Sequence, residues 1–525
     1  MCPLEHDDRR RPKPQCCPCG DHAESPDREG VTRRGFLGGV GGAALGGVAL
    51  SGLSWAALSA AEVAVAPPPP RRPLRVKPIF AYSTYQRRFQ TSWRAWGGIQ
   101  TQQDAEQEIP RISNELQKLK AQADFPLEFL PVAPVRNANE VTALQDLPSA
   151  DVLLVYAANG GSAIDAAGNS GKDVIFFVRH KSGPVYLWYE IISPRYLRQH
   201  TDELKVKGID FQDVVVDSQD EILWRLRALC GLHNTLGFRI LAIGGPGAWA
   251  QPAGVVPDLV RKKWKLDIQT VTYDDLGKLI QAARQDQAEV NLARQRADAY
   301  LKLPGTTLET KRQFVDNAFL LEQVFRKLMA KADCRAITIN GCMSTIMPIS
   351  ETTACLPLST LNDDGYLAFC ESDFVVIPSG MLLANISGRP PFLQDPTYPH
   401  DGVITLAHCT GPRKMDGKTR EPARIMTHFE SDYGAAPKVE MHKGQKVTIV
   451  VPDFKAERWI GLPAEIIDAP LLDICRSQVD IRFACDSQLL AERIPGFHWM
   501  LVYGDYLREA GYALRKIPIK LEVLA

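Results

Sequence analysis

Between Gly341 and Asp373 the chain places three carboxylates, Glu351, Glu371 and Asp373, in or beside apolar strands and loop ends. A carboxylate in such surroundings is costly unless it is paired or bound to a metal. Hard divalent cations take oxygen ligands of this kind, and one imidazole would complete a mixed site of the Mn type. Candidate imidazoles follow at His400, His408, His428, His442 and His498. His428 beside Phe429 and His442 in a Lys-rich turn read as structural or solvated positions. Asn362-Asp363-Asp364-Gly365 reads as a turn, because the later ligand positions of an EF-hand are missing.

A second motif points to different chemistry. Arg239–Ile243 followed by Gly245-Pro246-Gly247-Ala248-Trp249-Ala250 fits the G-x-G-x-x-A pattern of dinucleotide-binding turns, with Asp267 on the next strand. A nucleotide-dependent oxidoreductase is the function this would serve. Pro246 restricts the turn, Trp249 crowds the place of the pyrophosphate and Pro252 interrupts the helix that should follow, so the segment reads better as an ordinary strand-to-loop turn.

The elements that must position these residues alternate in type. Short β-branched or aromatic runs at 75–82, 127–132, 151–156, 173–178, 238–243, 266–271 and 336–339 predict strands. Amphipathic stretches at 103–122, 223–232, 256–265, 273–300 and 308–332 predict helices. Near-continuous apolar strands require a sheet covered on both faces. The expected fold is therefore α/β. Two flavodoxin- or Rossmann-like parallel-sheet domains, 73–215 and 216–335, precede a mixed C-terminal domain, 336–525, whose strand-like runs at 403–407 and 445–451 form a β-rich, barrel-like part.

Ahead of them lies a different texture. Residues 1–31 are polar, and Thr32-Arg33-Arg34-Gly35-Phe36-Leu37 then opens a weakly apolar run rich in Gly and Ala, the pattern of a twin-arginine export signal. Residues 1–66 are expected to be signal and leader and 67–72 a Pro-rich linker. The expected location is periplasmic or extracellular, with an uncleaved membrane anchor as the alternative and the export machinery as a partner. Four of the 12 cysteines precede this signal, and the other eight form no CxxC pair and read as small buried residues. Lys+Arg and Asp+Glu both total 61 over 525 residues, and residues 1–60 hold seven of each sign, so loss of the leader leaves the charge balanced. Without a net field or a long basic run, a nucleic-acid partner is not expected.

Leu358-Ser359-Thr360-Leu361-Asn362-Asp363-Asp364-Gly365 running into Cys370-Glu371-Ser372-Asp373 resembles the central segment of the L-fucose isomerase and L-arabinose isomerase superfamily, where a leucine-rich strand, an L-N-D turn and an acidic E-x-D strand end follow in order. Leu406–Cys409, Thr427–Glu430 and the terminal Gly496-Phe497-His498-Trp499 extend the resemblance over about 335–525. It implies an Mn²⁺-dependent aldose–ketose isomerase acting on a small sugar through a cis-enediol, and a homo-oligomer. By position it implies Glu351, Asp373 and His498 as metal ligands, with Glu351 and Asp373 also the catalytic acid and base and Glu371 the alternative metal Glu. His408 and His428 would face substrate or support the ligands. The chain departs from the family after the E-x-D end, where Phe374–Met381 replaces a small-residue pattern. A catalytically silent sugar-binding protein on the same scaffold is the alternative reading.

Overall fold

The computed structural model describes residues 67–159, 161–192, 211–249 and 251–525. The signal and leader expected over 1–66 lie outside the described residues. Among the described residues, no helix is long and apolar enough to cross a membrane. The Pro-rich segment that starts at Pro67 lies against the body: Arg71 donates to the Asn385 carbonyl at 2.8 Å, and Arg72 forms an ion pair with Asp151 at 2.9 Å.

The first sheet contains β1 (Leu74–Ala81), β2 (Leu127–Phe129), β3 (Ala133–Val135), β4 (Val152–Ala157), β5 (Asp173–Val178) and β6 (Val214–Val216). All pairings are parallel, in the order β2-β1-β4-β5-β6 with β3 also on β1. Alternate residues enter two separate cores. Phe80, Leu154 and Phe177 pack on one face, and Ile79, Val155 and Phe176 on the other. Burial on both faces is why these strands read as unbroken apolar runs.

The second sheet contains β7 (Arg239–Ile243) and β8 (Asp267–Val271), and after β9 (Thr306–Leu308) has left to pair elsewhere, β10 (Ala336–Ile339) and β11 (Leu367–Phe369). Its order is β11-β10-β7-β8, again parallel. The sheet thus takes its last two strands from beyond residue 335, where the sequence reading placed a domain boundary. The long helix expected over 273–300 is two helices, Tyr273–Gln285 and Gln287–Leu301. Asp286 separates them because its carboxylate accepts from the Ala288 and Glu289 amides and caps the second helix. The leucine-rich strand implied by the resemblance is instead the helix Cys355–Asp363, tied to β11 by Asn362, whose side chain accepts from the Ala368 amide and donates to its carbonyl.

The C-terminal part is β-rich, as expected. Its strands are β12 (Phe392–Pro396), β13 (Val403–His408), β14 (Ala423–His428), β15 (Tyr433–Val439), β16 (Lys446–Pro452), β17 (Arg458–Asp468), β18 (Ser477–Phe483), β19 (Trp499–Tyr503) and β20 (Lys520–Val523). Six antiparallel strands in the order β16-β19-β12-β13-β18-β17 close into a barrel through the β16–β17 ladder, which runs from Lys446↔Glu465 to Pro452↔Trp459. Closure removes the two free edges an open sheet would present. β20 joins β17 in parallel, and β15, β14 and β9 form a small separate sheet.

Candidate metal centre

The carboxyl ends of β7, β10 and β11 converge at the point where the second sheet reverses its strand order, the usual place for a ligand in an open parallel sheet. β11 ends at Phe369, and the chain then turns sharply, with Glu371 at φ 66° and Ser372 at φ 46°. Two successive non-glycine residues in left-handed conformations cost about 1–3 kcal/mol each, so their surroundings must hold them. The Gly247 amide donates to the Ser372 carbonyl at 3.1 Å, and the Phe374 amide donates to the Gly247 carbonyl at 3.2 Å. The turn is thereby fastened to the loop after β7.

The barrel supplies the facing groups. β12 and β19 pair with Gln394 opposite Trp499, so the next step of the register sets Asp395 across from His498. The His498 side chain is fully buried and lies among three carboxylates. Its Nδ1–H donates to Asp373 Oδ2 at 2.6 Å, and its Nε2 lies 3.1 Å from Asp395 Oδ1 and 3.2 Å from Glu371 Oε2. Asp373 Oδ1 accepts from the Val375 amide at 3.0 Å and the Trp249 amide at 3.3 Å. Burial pulls the imidazole pKa down, but Asp373, Asp395 and Glu371 outweigh it and hold it well above the usual histidine value.

Two states satisfy this arrangement. In one, an imidazolium donates from both nitrogens. In the other, a neutral ring keeps its proton on Nδ1, and Nε2, Glu371 and Asp395 turn their lone pairs to a shared cation. One imidazole with two carboxylates is a donor set that suits a divalent ion such as Mn²⁺, and a carboxylate that orients the ring through its other nitrogen is the usual support of such a ligand. The Glu371 and Asp395 side chains keep 13% and 14% exposure, but the oxygens that face His498 Nε2 are themselves buried.

Glu371 also reaches a second histidine. His408, buried at the end of β13, has Nε2 at 3.8 Å from Glu371 Oε1 and Nδ1 at 3.2 Å from Thr410 Oγ1. Trp249 stacks on Phe497 with centroids 4.0 Å apart and meets the His498 ring edge-on at 5.6 Å, forming an aromatic wall beside the carboxylates. Cys342 belongs to the same surroundings; burial, with Glu371 adding to it, pushes its thiol up to about 11. Among the described residues, two groups of ligand-type atoms lie within 4.8 Å of one another: Cys370, Glu371 and His408, and Cys355, Cys409 and His428. Buried Cys, His and Glu side chains in this protein are thus placed where they could hold a metal ion.

The structure brings together Asp373, His498, Glu371 and His408. It does not bring Glu351 to them. Glu351 closes the short helix Met347–Ser350 in a left-handed conformation at φ 52°, and its half-exposed side chain pairs with Arg284 at 3.0 Å. The cap turns the Glu351 carboxylate outward, whereas Glu371 lies beside His498 and His408. Asp373 meets Nδ1 of His498, and Asp395 stands at the opposite nitrogen, Nε2. His428 sits with Cys355 and Cys409, away from Glu371 in sequence and in its contacts. His400 and His442 are exposed. Asp395 escaped the sequence reading, although it too is a carboxylate at the end of an apolar strand, Phe392-Leu393-Gln394.

The glycine motif after β7 serves this centre. Gly244 and Gly245 have φ of 75° and 90°, and a Cβ on Gly244 would lie 2.4 Å from the Tyr273 ring. The next helix begins only at Val256, so no helix N-terminus stands at the turn to receive a pyrophosphate. No protein-family model matches the chain, and no curated protein matches its sequence.

Proposed function

We propose that the protein is a metal-dependent sugar isomerase that interconverts an aldose and a ketose at a centre formed by Glu371, Asp395 and His498. The observation that carries this reading is the convergence of Glu371 Oε2 and Asp395 Oδ1 on His498 Nε2 at 3.2 and 3.1 Å, with Nδ1 engaged by Asp373. A bound divalent cation, Mn²⁺ in this reading, would supply Lewis-acid polarisation of the sugar carbonyl.

The chain's own residues do the rest. Asp373 fixes the ring and its tautomer. Glu371 and Asp395 serve as the proton carriers. In the aldose-to-ketose direction one carboxylate takes the C2 proton, the C2–H electron pair forms the C1–C2 double bond and the carbonyl pair moves to O1, which takes a proton from the other carboxyl group to give a cis-enediol; the first carboxyl then returns its proton to C1 as the O2 hydroxyl gives its proton to the second carboxylate. No oxidant or reductant is consumed. The Trp249–Phe497 wall offers an apolar face for the C–H side of the sugar, and His408 is placed to hydrogen-bond a hydroxyl next to Glu371. The Arg33-Arg34 signal supports export of this enzyme through the twin-arginine route, and assembly as a homo-oligomer belongs to the same proposal.

The test is Mn²⁺-supplemented protein incubated in D₂O with a panel of aldoses and ketoses, read by interconversion and by deuterium at C1 or C2. Interconversion lost in Asp395→Asn and His498→Ala supports the reading. Bound Mn²⁺ and bound sugar with no exchange for any sugar would replace it with the silent sugar-binding protein.

A further inference from the structure

A second cluster lies just beyond β13. His408, the last residue of β13, faces Glu371, while Cys409 lies in the turn that follows. There Cys409 joins Cys355 and His428, and the ligand atoms of all three lie within 4.8 Å of one another. Cys475 adjoins this group: the Cys409 thiol is in hydrogen-bonding contact with both Cys355 and Cys475, and a small inward shift of Cys475 would make it the fourth donor. The four residues are 2–7% exposed, and the cysteines are free thiols that pack with Ala407 and Ala436 in a small core of their own.

We infer that Cys355, Cys409, Cys475 and His428 form a structural site for a thiophilic divalent cation, Zn²⁺ in the first place. Three sulfurs and one imidazole from buried positions are the closed, four-donor set of a structural zinc centre, with no position left for substrate. A disulfide would use two of the sulfurs and give the imidazole no part, which is why the donor set favours a metal. On binding, each thiol releases its proton and the ring stays neutral, leaving one net negative charge in the site. Arg476 stands next to that charge: its backbone amide donates to Cys409, and its guanidinium binds the Thr427 carbonyl at 2.8 Å and lies over the Phe429 ring.

The donors come from four separate places: the start of the helix Cys355–Asp363, the turn after β13, the end of β14 and the approach to β18. Because β14 belongs to the small sheet and β13 and β18 to the barrel, the ion would pin the two together and fix the strand end that carries His408. This site does not depend on the isomerase reading.

The experiment is metal analysis of the full chain, purified under reducing conditions with added Zn²⁺ and dialysed against a mild chelator, beside Asp395→Asn, Cys409→Ser and Cys355→Ser. One zinc per chain is expected in the wild type and in Asp395→Asn, and a loss of that equivalent in either cysteine variant. Should those variants fail to fold, the cobalt-substituted wild type decides: a thiolate-to-cobalt charge-transfer band with strong tetrahedral visible bands is expected. Absence of both zinc and that band from the folded wild type, or peptide mapping that finds Cys409 in a disulfide with Cys355 or Cys475, would overturn the inference.

Discussion

Asp373 Oδ2 stands 2.6 Å from His498 Nδ1, and this contact turns the ring so that Nε2 faces Glu371 and Asp395. An aspartate in the E-x-D motif therefore acts on the centre through the histidine. In Asp373→Asn the ring loses its anionic partner while Glu371, Asp395 and His498 all remain. Mn²⁺ affinity is expected to fall about 10- to 100-fold, measured by calorimetric titration. An unchanged affinity would make Asp373 a ligand of nothing and a support of nothing.

Glu371 and Glu351 should separate cleanly. Glu371→Gln is expected to abolish both Mn²⁺ retention and sugar interconversion, whereas Glu351→Gln, at a half-exposed cap paired with Arg284, should keep both and shift stability by no more than about 0.5 kcal/mol. Parallel metal analysis and thermal melts of the two variants check this. The reverse result would restore Glu351 as the ligand.

The aromatic wall makes a kinetic prediction. Trp249→Ala removes the 4.0 Å stack on Phe497 and the sugar-facing surface with it. Loss of an aromatic contact worth about 0.5–1.5 kcal/mol should raise KM roughly 2- to 12-fold. kcat should change less, because the carboxylates stay in place.

Two carboxyls outside the centre predict how stability depends on pH. Burial pushes Glu421 up to about 7 against hydrogen bonds from Tyr503 and the His442 amide, and pushes Asp363 up to about 6 against the amides of Lys414 and Arg413. Both bind protons more tightly in the folded chain than in the unfolded one. Their stabilising contribution is full below the unfolded values near 4 and is lost as pH rises through 6 and 7. For Glu421 the loss is on the order of 3 kcal/mol. Melting temperatures should fall over this window, and Glu421→Gln should flatten part of the fall. A wild-type profile that rises from pH 5 to pH 7 would contradict the assignment.

What the sequence revealed follows from which forces act locally. The parallel strands were readable because burial on both faces leaves a continuous apolar run, as in Leu153–Tyr156. Asp373 and His498 were marked by the motifs of the resemblance, Cys370–Asp373 and Gly496–Trp499, and the structure brings the two side chains within 2.6 Å. The helix Cys355–Asp363 was read as strand because all nine of its residues are buried, which erases the 3.6-residue alternation that marks a surface helix. Asp395 was missed because its role comes from the β12–β19 register, a pairing across more than a hundred residues of chain. Glu351 was misplaced because spacing along the chain says nothing about the left-handed cap that turns it outward.

The proposed metal centre would draw Glu371 and Asp373 from the end of a parallel sheet and Asp395 and His498 from a closed barrel, two structures built on separate strand ladders. Neither holds enough donors to retain an ion alone. On this proposal ion retention would report on assembly: a chain whose barrel has closed but has not seated on the sheet would keep its secondary structure and be chemically blind. Any lesion that loosens that seam, however distant from the carboxylates, should register first as lost metal.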